Sequence, residues 1–449
     1  MNSVLTFLQK QGVDISAPCG GNGICKKCLV KTSKGEVLAC QTPMSDDLDI
    51  ITTSEHPINA VSTYEPGREF PFSREGKFGI AIDIGTTTLA FELIELTTGR
   101  RIHAHTATNS QRRFGTDVIS RIKYAAEGGL KEMQTAILQD IETGVRHLKA
   151  EVTHIAISGN TTMLHILRGL DCRTLGIFPF KPVDINIYKT KYKSYDIIIL
   201  PSISTYVGAD IVSGLLHLGN KPGNYLLIDL GTNGEIALFS DNKIITAGAA
   251  AGPAFEAANI SMGMPAIDGA IAKAEYKNDK FLYKTISNKN PIGICGTGVI
   301  DIAGEIVKHE LCDETGYIED DINITDNIYF TPKDLREIQL AKSAMRSGIE
   351  ILLDIAKLDY NQITKIYLAG GFGHKVNPQS AANIGLFPAS VLQKIKTVGN
   401  TSLAGAISVL LSHEAEEEAV LIAKKAEEVN LASHIKFNEF FMEYMMFGE

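Results

Sequence analysis

FGIAIDIGTTTLAFELIELTTGRRI (78–102) is the stretch on which the fold turns, and it has an echo in YLLIDLGTNGEIALFSDNKII (225–245). Each copy reads as an apolar strand, an Asp-x-Gly-Thr turn, a second strand, and a polar turn into a third. Asp83 and Asp229 fall at equivalent positions. A second echo pairs SGNTTMLHIL (158–167) with VGNTSLAGAI (398–407), each a strand, a Gly-Asn-Thr turn and a helix. Two echoes in the same order predict a duplicated domain whose halves, about 77–220 and 221–449, face each other.

From Phe78 onward apolar β-runs alternate with amphipathic helices, which predicts an α/β fold. Upstream, EHPINAVSTYEPGREFPFSREG (55–76) carries three prolines and several charges without an apolar period, and reads as a linker. Residues 1–54 are glycine-punctuated and form a separate small unit. The helix expected over 413–429 has a charged face above an apolar stripe and reads as a surface helix.

Composition narrows the class. The chain has 449 residues, 43 Lys+Arg against 52 Asp+Glu, and a formal charge of −9. That acidity lacks the basic face that nucleic acid demands. No window reaches the ~20 apolar residues of a membrane-spanning helix, and the N-terminus lacks a signal-peptide pattern. Of seven cysteines, Cys172, Cys295 and Cys312 stand alone. An odd count without a framework predicts a reducing cytosol.

The other four, Cys19, Cys25, Cys28 and Cys40, are spaced C-x5-C-x2-C-x11-C. Thiolates this dense need a positive metal centre. Three close ligands and one distant suit a 2Fe–2S cluster, whereas zinc prefers two compact pairs. Glycines 20, 21 and 23 let the loop turn its N–H groups toward sulfur.

No P-loop or G-x-G-x-x-G motif occurs. The duplicated turn offers another phosphate site: Gly85 and Gly231 permit a tight turn, and the hydroxyls of Thr86, Thr87, Thr88 and Thr232 add donors. Asn233 follows in the second copy. Asp83 and Asp229 would converge on one Mg²⁺, which needs only one or two carboxylates. In LAGGFG (368–373), Gly370, Gly371 and Gly373 would let a purine–ribose lie against the backbone.

On these residues the region from Phe78 resembles the actin-like ATPase, sugar kinase and acetate kinase superfamily. There the two hairpins are the phosphate motifs, LAGGFG is the adenosine motif, and the Gly-Asn-Thr turns are the connecting motifs. The whole chain resembles the reductive activators of corrinoid enzymes. The supporting segments are APCGGNGICKKC, LACQT, RFGTDVISRI, SGNTTMLH, VGADIVSGLL, IDLGTNGEI, GICGTGVIDI and LAGGFG. The resemblance implies a duplicated actin-like (ribonuclease H-like) ATPase domain behind an N-terminal 2Fe–2S ferredoxin-like domain, here shortened, with its cysteine loop starting at Cys19. It also implies ATP and Mg²⁺ as cofactors, a corrinoid protein or corrinoid-dependent methyltransferase and a cellular electron donor as partners, and leaves a homodimer open.

By the same resemblance Asp210 positions the attacking water, although an Asp at a helix start also suits an N-cap. Glu235 either binds Mg²⁺ through water or is an exposed strand carboxylate. Cys295 reads as a packed residue. The expected function is ATP-dependent delivery of single electrons to a Co(II) corrinoid, giving Co(I). The alternatives are an ATP-driven activator of another redox enzyme and a small-metabolite kinase with a metal-binding appendage.

Overall fold

The computed structural model describes residues 3–10, 28–33, 35–45, 48, 50–52, 64–231, 233–240, 243–370 and 376–447. In the N-terminal unit, helix α1 (Val4–Lys10) packs on strands β1 (Leu29–Thr32), β2 (Gly35–Leu38) and β3 (Ile50–Thr52), ordered β2-β1-β3. Its small core joins Val4, Leu5, Leu8, Val30, Ala39 and Leu48 to the buried Cys28.

The first half runs β4 (Phe78–Ile84), β5 (Thr88–Glu95), β6 (Arg101–Thr108), α2 (Val118–Tyr124), α3 (Leu130–His147), β7 (Val152–Gly159), α4 (Thr161–Arg168), β8 (Tyr188–Tyr192), β9 (Tyr195–Ile199) and α5 (Ala209–Leu218). Its six-stranded sheet is ordered β6-β5-β4-β7-β9-β8, with β4, β7 and β9 parallel. The strand β4 is almost wholly buried because sheet neighbours flank it and helices cover both faces.

The second half repeats the plan. It begins with β10 (Asn224–Leu230), β11 (Gly234–Ser240) and β12 (Lys243–Ala249). A β-rich insertion follows, with β13 (Ala270–Lys277), β14 (Lys280–Thr285), β15 (Gly293–Ile294), α6 (Gly296–Lys308), β16 (Ile322–Asn323) and β17 (Tyr329–Phe330). Helix α7 (Pro332–Ala356), β18 (Ile363–Ala369), α8 (Pro378–Asn383), β19 (Ile395–Gly399), α9 (Thr401–Leu411), α10 (His413–Lys425), β20 (Ala426–Glu428) and α11 (Phe437–Glu443) complete it. The sheet order β19-β18-β10-β11-β12-β20 matches the first half across five strands. The first echo is thus a repeated hairpin, whereas the second joins strands at different places: β7 has β18 as its counterpart and β19 has β9, so the two Gly-Asn-Thr turns are not equivalent positions of the halves.

Helices α5 and α9 lie between the two sheets. One continuous core takes residues from β4 and β7, from α5 and α9, and from the inner face of β10 and β11. A second core lies beyond the second sheet, under α6 and α7. After β19 the chain therefore crosses back, and α9 buries its apolar surface in the first core. The α5–α9 crossing is close: a Cβ on Gly405 would stand 2.3 Å from the Ser213 carbonyl oxygen, and one on Gly214 would stand 2.9 Å from Thr401 Oγ1.

Two readings are refined. Residues 64–76, inside the expected linker, are extended but tied down. Tyr64 bridges Gly399, Glu65 N donates to Val398 O, Arg68 N donates to His217 O, and Arg74 pairs with the buried Glu416. The expected helix 413–429 ends at Lys425, because Ala426–Glu428 pairs in parallel with Ile244–Thr246 of β12. An unpaired sheet edge competes well for backbone that a helix end leaves unbonded. Among the described residues no helix is long and apolar enough to cross a membrane.

The crossing gives a stability test. Gly405→Ala should lower the chemical-denaturation midpoint, costing about 1–3 kcal/mol as the two helices are pushed apart. An unchanged midpoint would show that the crossing carries no close-packing constraint.

Candidate nucleotide cleft and cluster site

Between the two sheets opens a cleft lined by Asp83, Gly85, Thr86, Asn160 and Asp210 from the first half, and by Asp229, Gly231, Asn233, Glu235, Glu256, Gly370, Asn400 and Ser402 from the second. The symmetric strands β4 and β10 deliver Asp83 and Asp229 at their C-terminal ends, where parallel-sheet ligands bind. Gly85 makes the first turn possible: its N–H donates to Thr88 O at 3.0 Å, and a Cβ there would lie 2.7 Å from that oxygen. Gly370 has φ +109°, and a Cβ would lie 2.9 Å from Asp229 Oδ1, so only glycine lets this turn approach the carboxylate. Thr88 opens β5. Cys19, Cys25, Thr232, Gly371 and Gly373 lie outside the described residues.

The Gly-Asn-Thr turns act twice each. Asn160 Oδ1 accepts from Met163 N and caps α4, while its amide donates to Thr86 Oγ1 at 3.2 Å. Asn400 Oδ1 accepts from Leu403 N and caps α9, while its amide donates to Asp83 Oδ2 at 2.8 Å. Ser402 Oγ donates to Asp83 Oδ1 at 2.7 Å. Helix capping thus fixes the amides that reach into the cleft.

Electrostatics dominate this site. Burial pushes the Asp83 carboxyl up to about 6, against the pull of its Ser402 and Asn400 donors. Asp229 is driven well above the usual carboxylate range, first by burial and then by the charges of Asp210, Asp83 and Glu256. Asp210 and Glu235 hydrogen-bond to each other and are both raised by burial, Glu235 further by the Asp210 charge. Contact between two buried carboxyls favours a proton held between them. No lysine or arginine lines the cleft among the described residues. The charged side chains of the cleft are therefore all carboxylates, oxygen ligands that suit Mg²⁺. Among the described residues no three acidic, His or Cys side chains close around an ion by themselves. Mg²⁺ that keeps its waters and binds phosphate does not require that.

Several sequence expectations are sharpened. Asp210 is not the N-cap: Gly208 holds that position, and Asp210 lies in the first turn of α5. Glu235 is not an exposed strand carboxylate but 3% exposed, opposite Asp229 across the β10–β11 pair. Cys295 is buried, its Sγ donating to Ile271 O at 3.3 Å. Sequence reading missed Ser402, Arg121 and Glu256. Arg121 is fully buried and donates to Thr86 O at 2.5 Å and to Gly115 O at 3.0 Å, fastening the first phosphate turn from behind. Its signal was the segment RFGTDVISRI. Glu256 had only the Gly-Pro turn before it to mark it.

In the N-terminal unit the register Leu29↔Leu38 brings the ends of the β1–β2 hairpin together. Ala39 N donates to Cys28 O at 2.7 Å, and Cys40 N donates to Cys28 Sγ at 3.4 Å. Gln41 Nε2 donates to Cys40 Sγ at 3.6 Å. Neither sulfur is in a disulfide. Two hairpin-linked thiols that collect N–H donors fit a cluster's thiolate ligands.

The family model described as the C-terminal domain of RACo, the ASKHA domain, matches residues 223–449. The chain belongs to the RACo family. The RACo middle region matches 78–221, and a 2Fe–2S iron–sulfur cluster binding domain matches 1–50. A solved reductive activator for corrinoid, iron–sulfur protein is 26% identical, with TM-score 0.76, over 99% of this chain and 95% of its own. Corrinoid activation enzyme RamQ of Eubacterium limosum is 28% identical over 98% of this chain and 95% of its own. A [Co(II) methylated amine-specific corrinoid protein] reductase of Methanosarcina barkeri is 27% identical over 81% and 76%. With this membership the cofactors are a 2Fe–2S cluster, ATP and Mg²⁺.

The carboxyl cluster sets a pH dependence. A carboxyl raised on folding binds more protons in the native state, so stability falls as pH rises between its ordinary and raised values. For Asp83 that window runs from 3.8 to about 6. The nucleotide-free protein should melt lower at pH 7.5 than at pH 5. Asp229→Asn should raise the melting temperature at pH 7.5 more than at pH 5, while abolishing the stabilisation by Mg·ATP. A substitution that destabilises equally at both pH values would contradict this.

Proposed function

We propose that this RACo-family chain is an ATP-dependent reductive activator that passes single electrons to an inactive Co(II) corrinoid protein or corrinoid-dependent methyltransferase, giving Co(I). The observation that carries the reading is the union, in one chain, of a 2Fe–2S binding unit with a carboxylate-lined nucleotide cleft. The relatives' names point to the same corrinoid partner. A cellular electron donor, a reducing cytosol and a homodimeric assembly belong to the same proposal.

Cys19, Cys25, Cys28 and Cys40 would hold the cluster, which when bound supplies one-electron chemistry. Cys40 N–H and the Gln41 amide, donating to sulfur, orient these ligands and moderate their charge. Asp83 and Asp229 would hold Mg²⁺ on the nucleotide's phosphates. The phosphate turns at Gly85–Thr88 and Gly231–Asn233 present backbone N–H groups and hydroxyls to the phosphate oxygens, and Gly370, Gly371 and Gly373 accommodate the adenosine. The Asp210 and Glu235 carboxyls hydrogen-bond to each other; Asp210 would position the attacking water, and Glu235 would reach Mg²⁺ through a water.

Co(I) is a strong reductant, so the transfer is uphill and needs a coupled process. ATP supplies it only through differential affinity for two arrangements of the halves. Closure of duplicated halves over a nucleotide is a movement this architecture permits.

An anaerobic spectral titration with a corrinoid protein and a low-potential reductant, with and without ATP, tests the proposal. Co(I) should form only with ATP. Cys28→Ser should lose Co(I) formation and the 2Fe–2S spectrum yet retain ATP hydrolysis. A corrinoid spectrum that stays Co(II) with ATP and reductant present would overturn the reading.

A further inference from the structure

Glu256 is an acidic side chain in the cleft with no part in the roles above. It comes from the second half, in the short 3₁₀ turn Pro253–Glu256 that follows β12. Its Oε2 accepts a hydrogen bond from Thr87 Oγ1 at 3.3 Å. Thr87 belongs to the first half's phosphate turn, so this contact spans the cleft.

The backbone around Glu256 is held with care. Gly252, before the turn, has φ +71°, and Ala257 and Asn259, after it, both have φ +63°. Left-handed backbone at two non-glycine residues directly after the turn is strain that the surrounding structure must impose. Part of that imposition is visible. Gly296, at the start of α6, has no Cβ because one would sit 2.2 Å from Phe255 O and 3.3 Å from Glu256 Cα. This explains GICGTG, a sequence motif that the nucleotide chemistry had not used. Its glycine lets α6 press the Glu256 turn into the cleft. Glu256 also contributes to the field that raises Asp229, which places its charge among the phosphate-site carboxylates.

We propose that Glu256 is a positioning residue that acts across the cleft. In the nucleotide-free protein its carboxylate stands in for a phosphate on the Thr87 hydroxyl, linking the first phosphate turn to the second half. Binding of ATP exchanges this internal anion for the nucleotide's own phosphate oxygens. The Thr87 hydroxyl then keeps a charged acceptor before and after binding, and the turn stays ordered. The exchange also makes the empty site selective, because only a ligand with a better anion in reach of Thr87 displaces the carboxylate. This inference rests on the cleft's being the ATP site.

Equilibrium binding of ATP by calorimetry separates the contributions. Glu256→Gln retains an oxygen acceptor for Thr87 but removes the charge. Glu256→Ala removes both. If Glu256 competes with phosphate for Thr87, Glu256→Ala should bind ATP more tightly than Glu256→Gln, by up to about ten-fold for one neutral hydrogen bond. That difference should vanish in the Thr87→Val background, where only the charge effect remains. Thermal melts of the wild type, the two Glu256 variants and their Thr87→Val doubles confirm that each is folded. Equal affinity of the two Glu256 variants, a difference that persists with Thr87→Val, or weaker ATP binding by Glu256→Ala would each overturn the role proposed for Glu256. Failure of the wild-type protein to bind ATP at all would instead overturn the nucleotide reading of the cleft.

Discussion

Five carboxyl groups, from Asp83, Asp210, Asp229, Glu235 and Glu256, meet in one cleft that no lysine or arginine lines among the described residues. Everything else in the ATPase region serves or follows from that constraint. Like charges a few ångströms apart in a poorly solvated site repel by about 1–4 kcal/mol per pair at 4 Å, depending on the effective dielectric. The molecule answers by retaining protons, seen in the upward shifts of Asp83, Asp210, Asp229 and Glu235. A divalent cation carrying phosphates relieves the same strain. On the function proposed above, the cleft is poised for Mg·ATP by being unfavourable without it.

Such a site needs a scaffold that does not yield. Asp83 and Asp229 stand on central strands of two six-stranded sheets, and each sheet is continued by a parallel strand beside the carboxylate. The crossing of α9 into the first core adds a further tie. The cap of that helix, Asn400, and its second residue, Ser402, are the two donors that hold Asp83. Packing a hydrophobic helix between the sheets and orienting an acidic ligand are therefore one event. The segment 64–76, which leads in from the N-terminal unit, lies on the same element: Tyr64 and Glu65 pair with Gly399 and Val398, directly before Asn400.

The legible parts of the sequence were those whose chemistry is local. A strand followed by Asp-x-Gly-Thr announces a phosphate turn because its glycine and hydroxyls do their work within four residues. The Gly-Asn-Thr turns were legible as strand-to-helix caps for the same reason. The donor function of Asn400 toward Asp83 was not, since it links positions far apart in the chain. Glu235 shows the limit clearly. An isolated strand gives no indication of which face is covered, so an exposed carboxylate and a buried one shared with Asp210 read alike. The end of α10 was hidden likewise, because the edge of β12 that captures Ala426–Glu428 is formed far upstream.

By itself the sequence determined the duplicated α/β plan, a cysteine spacing suited to a 2Fe–2S unit, and two glycine turns rich in hydroxyls. Short-range backbone geometry and ligand spacing are written in neighbouring residues. Only the tertiary structure decided which carboxyls share a field, that Arg121 fastens the first turn from behind, and that Thr87 and Glu256 meet across the cleft. Those contacts depend on how two sheets and the helices between them pack, and packing brings together side chains that no sequence period relates.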